Sequence, residues 1–64
     1  MGRIRRGGHV FVTWIGDHTP RHVHVFRDGT LVLKWDLEAW SSTYGNPSRT
    51  LRRVLSELRE EGLL

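Results

Sequence analysis

Residues 17–24 read DHTPRHVH and hold three of the chain's four histidines, with His9 outside. His22 and His24 are two apart in a stretch of strand composition, so both project to one side, roughly 6.5 Å apart along the backbone. Three chemistries fit such a pair. As structural residues, the two rings hydrogen-bond backbone carbonyls at a sheet margin, with His18 in an exposed turn. As metal ligands, they chelate one ion with Asp17 or His18, and any further ligand has to come from His9 on a neighbouring strand. As a general base and a general acid, they act on a phosphodiester at near-neutral pH, with no metal and no cofactor. RNA supplies its own nucleophile for that last chemistry, the 2′-hydroxyl.

The net charge of +3 favours an anionic ligand. Lys34 is the only lysine among ten basic residues. Arginine grips phosphate bidentately, which lysine does not. A GC-rich genome would raise the arginine content with no functional cause. Their placement argues for function: Arg49, Arg52 and Arg53 cluster at a helix start, where the helix dipole disfavours cations. On the acid–base reading the catalytic candidates are His22, His24, His18 and Asp17, with Asp17 orienting His18 or His22. Arg21, Arg27, Arg49, Arg52 and Arg53 are the phosphate-binding candidates.

These residues need a scaffold, and 64 residues allow one small domain. There is no cysteine, hence no disulfide and no thiolate zinc site, in keeping with a reducing cytoplasm. No apolar run reaches bilayer length and no targeting signal is evident, so a cytoplasmic protein without a membrane partner is expected. Residues 1–8, MGRIRRGG, read as a flexible basic arm, and residues 9–64 as the domain. HVFVTWI (9–15), RHVHVFR (21–27) and TLVLKWD (30–36) read as strands by β-branched and aromatic content. Asp28-Gly29 predicts a two-residue type I′ turn between the last two. That turn pairs Arg27 with Thr30, Phe26 with Leu31, Val25 with Val32, His24 with Leu33 and His22 with Trp35. His22 and His24 would then share a face with Phe26, Leu31, Leu33 and Trp35, and a helix should pack there.

Residues 37–46 read as a polar connection, either a loop or a short edge piece, with Trp40 and Tyr44 within it. A helix follows, with Asn46 or Ser48 as N-cap, Pro47 in the first turn and Gly62 as terminator. Leu51, Val54, Leu55 and Leu58 form its apolar stripe. Glu57, Glu60 and Glu61 fall late in the helix, against its dipole. The expected fold is α+β: a three-stranded antiparallel β-sheet packed by one C-terminal α-helix, in the order β-β-β-α. An unprotected sheet edge in so small a domain could support a homodimer.

DHTPRHVHVFRDG resembles the signature of domain of unknown function 4160, a family of small bacterial proteins. The likeness lies at Asp17, His18, Pro20, His22 and His24, spans about residues 9–62, and departs at Arg21 and Val23. Genes of that family often stand beside a second small gene, so the resemblance implies a toxin–antitoxin module with a cognate antitoxin as partner. RHVHVFRDGTLVLKW followed by SRTLRRVLSELREEGLL is also similar to small mRNA-cleaving toxins with a double-stranded-RNA-binding-like fold. Thr50, Leu51 and Arg52 match the helix start of those toxins. The expected function is therefore a toxin acting on RNA, as a metal-independent endoribonuclease using the histidine pair. The alternative is a non-enzymatic module that binds nucleic acid or a partner protein, with structural histidines. On that alternative Trp14, Trp40 and Tyr44 are either stacking platforms or core.

Overall fold

Two glycine-bearing turns organise the sheet. In the computed structural model, which describes residues 2–13 and 22–64, Asp28 and Gly29 both take positive φ, at 51° and 78°. They close the type I′ hairpin that the sequence predicts. Gly7 and Gly8 do the same, at 62° and 78°, and join β1 (Gly2–Arg6) to β2 (His9–Thr13). β3 (His22–Arg27), β4 (Thr30–Asp36) and β5 (Ser41–Tyr44) continue the meander, and α1 (Arg49–Glu60) follows.

The sheet has five antiparallel strands in the order β1-β2-β3-β4-β5, not three. Residues 2–6 of the expected flexible arm are its first strand. Arg3 and Arg5 alternate with Ile4, which pairs with Phe11 and packs against the core. At the other edge β5 lies against β4, so the polar connection does fold back as an edge piece.

The register also corrects the sequence expectation. Arg27 pairs with Thr30 and Phe26 with Leu31, as the turn dictates, but Val25 then pairs with Leu33. Val32 is the extra residue of a β-bulge, and a one-residue slip moves every later side chain to the other face. Val23 and Val25 therefore join Leu33 and Trp35, in one core with Phe11, Leu51, Val54, Leu55 and Leu58. The helix covers that face. His22 and His24 lie on the opposite face, across from Asp36 and Lys34, and no described element covers that face.

The helix is capped at both ends. Ser48 Oγ accepts from the Leu51 N–H at 3.1 Å. At the far end Leu63 N–H donates to Leu58 O and Gly62 N–H to Arg59 O, a Schellman closure. Pro47 precedes the cap rather than opening the first turn. Trp40 packs its ring in a T-shape on Trp35, with centroids 5.4 Å apart, and the Arg59 guanidinium lies 4.6 Å from its centroid. Trp40 thus packs against the core, half-buried, and ties the β4–β5 turn to the last helical turn.

One of the late glutamates, Glu61, is offset by a cation from β1. Arg6 makes a bidentate pair with Glu61, with Nη2 2.9 Å from Oε1. This hydrogen bond, reinforced by charge, holds the Glu61 carboxyl below the usual glutamate range. The pair contributes above the unfolded-state pKa of Glu61, and the contribution is lost as pH falls through the lower folded value. A Glu61→Gln variant should therefore melt below wild type at neutral pH and converge with it in acid. Thermal melts across that range test this, and a gap that persists in acid would assign the effect to something other than the ion pair.

Candidate functional site

The alternation of β3 places Val23 and Val25 in the core and turns His22, His24 and Phe26 outward. Around them, the register brings together residues from four other strands. Arg3 pairs with Val12, Val12 with His24, His24 with Lys34, and Lys34 with Tyr44. One ladder row thus crosses the whole sheet as Arg3, Val12, His24, Lys34, Tyr44. A second row holds Arg5, Val10, Phe26 and Leu31. A third pairs His22 with Asp36 and Asp36 with Ser41. The open face therefore presents three cations, two imidazoles, one carboxylate and a strip of apolar side chains.

His24 is half-buried in this field. Burial lowers its pKa below the ordinary histidine value, and the charges of Lys34 and His22 lower it further. These causes favour the neutral imidazole, the form of histidine that accepts a proton. Asp36 is committed elsewhere. Its Oδ1 accepts from the N–H groups of Glu38 and Ala39, at 2.8 and 3.0 Å, and closes the β4–β5 turn. The Ala39 bond, then the Glu38 bond and the nearby His22, hold its carboxyl below the usual range. Asp36 is thus a fixed negative charge across from His22.

The sequence candidates divide between the two sides of the sheet. His22 and His24 stand together on the open face. Arg49, Arg52 and Arg53 are exposed on α1, on the side the helix covers, and Arg53 lies 4.0 Å from Glu57. Arg27 lines a hollow of about 170 Å³ with His9, Val32, Asn46, Ser48 and Leu51, beside the helix start. These four arginines therefore do not surround the histidine pair. Asp17, His18 and Arg21 lie outside the described residues, as does Trp14. His9 shares the helix-covered face with Phe11, and its Nδ1 is 2.9 Å from Gly7 O. It cannot join His22 and His24 around one ion. Among the described residues no three His, Asp or Glu side chains come together as a metal site.

The sequence reading passed over Arg3, Arg5, Lys34 and Tyr44 as neighbours of the histidines. A signal for the first two was present: Arg-Ile-Arg alternates, and Gly7-Gly8 is itself a hairpin pair. Among the described residues no helix is long and apolar enough to cross a membrane. Comparison with protein-family models, with curated proteins and with solved structures found no match.

Proposed function

We propose that the open face of the sheet binds RNA and cleaves it by metal-independent transesterification. The observation that carries this reading is the placement of His22 and His24 on one face, with Lys34 in register beside His24. His24 is the general base. It takes the proton of a 2′-hydroxyl as that oxygen bonds to phosphorus. His22 is the general acid, giving its proton to the departing 5′-oxygen as the old P–O bond breaks. Lys34 neutralises charge on the phosphoryl oxygens, and Arg3 and Arg5 hold phosphates further along the strand. The products are a 2′,3′-cyclic phosphate and a free 5′-hydroxyl.

The bacterial toxin–antitoxin setting rests on the likeness of Asp17, His18, Pro20, His22 and His24 to the family string. In that setting the protein works in the cytoplasm, where RNA is its target and a cognate antitoxin its inhibitor. The test is induced expression of wild type and of the His22→Ala/His24→Ala double variant in a bacterial host. It is paired with RNA cleavage by the purified proteins in excess chelator. Arrest and cyclic-phosphate ends with wild type alone support the reading. Equal growth and intact RNA with both proteins overturn it.

A binding role without catalysis is the second reading, favoured by the commitment of Asp36 to the turn and the remoteness of the helix arginines. It is recognised by salt-dependent RNA affinity that Arg3→Ala and Arg5→Ala weaken and His24→Ala spares.

A further inference from the structure

Tyr44 is the most exposed large aromatic side chain among the described residues, at 54%. Its orientation is imposed by the backbone. Asp36 pairs with Ser41 and Trp35 with Ser42, but Lys34 then pairs with Tyr44, leaving Thr43 as the extra residue of a bulge. Without that bulge Tyr44 would face Leu33 and turn toward the core. The bulge is held by the Thr43 hydroxyl, which donates to Lys34 O at 3.3 Å. The next residue, Gly45, abuts the Val32 carbonyl so closely that a Cβ there would lie 2.3 Å from its oxygen. Two irregularities thus hold an apolar ring out on the face that carries the histidines.

The surroundings of the ring suit one kind of ligand. Lys34 Nζ lies over one face of the ring, 6.0 Å from its centroid, so a base stacked on the other face has a cation within reach of its phosphate. Neighbouring strands are about 4.8 Å apart, which puts Tyr44 roughly 10 Å from His24 along the ladder row. That is about the reach of one nucleotide from a phosphate held at His24 and Lys34. Arg3 ends the same row on the far edge, and Arg5 stands beside it. In a duplex each base is already stacked on its neighbours and offers no face to a side chain. An unpaired base does.

We infer that Tyr44 is a base-stacking residue of this face and that the substrate is single-stranded RNA, bound across the strands from Tyr44 toward Arg3. The inference rests on the reading of the open face as an RNA site, but not on catalysis there. It is tested with a fluorescent 2′-O-methyl oligonucleotide of roughly ten nucleotides, a length within the span of single-strand sites. Its blocked 2′-oxygen separates binding from cleavage. The same probe annealed to its complement is the duplex control. Wild type binds the single strand at least about tenfold more tightly than the duplex. Tyr44→Ala weakens single-strand binding about 5- to 150-fold, the equivalent of about 1–3 kcal/mol for one base stack. Tyr44→Phe retains it, and Tyr44→Leu, apolar but without a π face, does not.

Equal affinity of Tyr44→Ala and wild type overturns the stack, and continued cleavage of natural RNA would leave the catalytic reading standing. Tighter binding of the duplex overturns the substrate class. Binding of neither probe overturns both the inference and the RNA reading. Tyr44-dependent binding of the single strand by a protein that leaves natural RNA uncut supports the inference and removes catalysis. Tyr44 is exposed, so its variants keep the core, and circular dichroism of each confirms the fold.

Discussion

Cleavage of single-stranded RNA by His24→Ala is expected to fall about 100- to 10,000-fold, the usual contribution of a positioned general base. Binding of an uncleavable RNA should change far less, because Lys34, Arg3 and Arg5 remain. The fold should survive. His24 lies on the face away from the helix, and the core of Phe11, Val23, Val25, Leu33 and Trp35 is untouched. A change within about 1 kcal/mol is typical of a substitution outside the core. The pH profile carries a second signature. Burial, then Lys34 and His22, push the His24 pKa down, so the acid limb of kcat/KM should fall below the ordinary histidine value. Lys34→Met removes one positive charge and should move that limb upward while lowering the maximal rate. Undiminished cleavage by His24→Ala removes the base from the mechanism. An acid limb that ignores Lys34 removes the electrostatic coupling.

Gly45→Ala is expected to cost at least about 2–3 kcal/mol, a large part of the stability of a domain this size. Two terms combine. Gly45 has φ of 81°, a region that side chains with a Cβ rarely adopt. The new Cβ would also lie 2.3 Å from the Val32 carbonyl oxygen and 3.4 Å from its carbon. Backbone at a bulge cannot swing aside as a flexible side chain can. Gly29 separates the terms. Its φ of 78° is similar, yet nothing lies within 4 Å of an added Cβ, so Gly29→Ala should cost only about 1 kcal/mol. Each kcal/mol moves the melting temperature of a small domain by about 4–8 °C. Thermal melts should therefore place Gly45→Ala well below Gly29→Ala. Equal melting points would mean that the β4–β5 edge yields to the clash. Gly45→Ala should also weaken single-strand binding, since β5 holds Tyr44.

The candidate site was legible in part. Strand periodicity alone puts His22 and His24 on one face, and no later event separates them. The arginine content did not tell which arginines share a face with the histidines. Arg49, Arg52 and Arg53 looked like phosphate ligands because they crowd a helix start, yet the helix lies behind the sheet from the histidines. The cations that share the histidine face, Arg3, Arg5 and Lys34, come from β1, which reaches β3 only across β2, and from β4, whose register a bulge shifts. Arg3 is nineteen positions before His22 in the chain, and a cross-sheet row of that kind has no local signature.

Local chemistry determined the elements. Asp28-Gly29 and Gly7-Gly8 can close two-residue hairpins, Ser48 and Gly62 bracket a helix, and Leu51, Val54, Leu55 and Leu58 stripe one side of it. The tertiary structure decided which face of the sheet that stripe would cover. β3 and β4 have apolar residues at both parities, so alternation did not choose between the faces. One extra residue at Val32 settled it, by carrying Leu33 and Trp35 to the side of Val23 and Val25 and leaving the histidines outside. A second extra residue at Thr43 turned Tyr44 outward beside Lys34. A bulge arises where pairing two strands and filling a core demand different registers. That conflict exists only once distant residues meet.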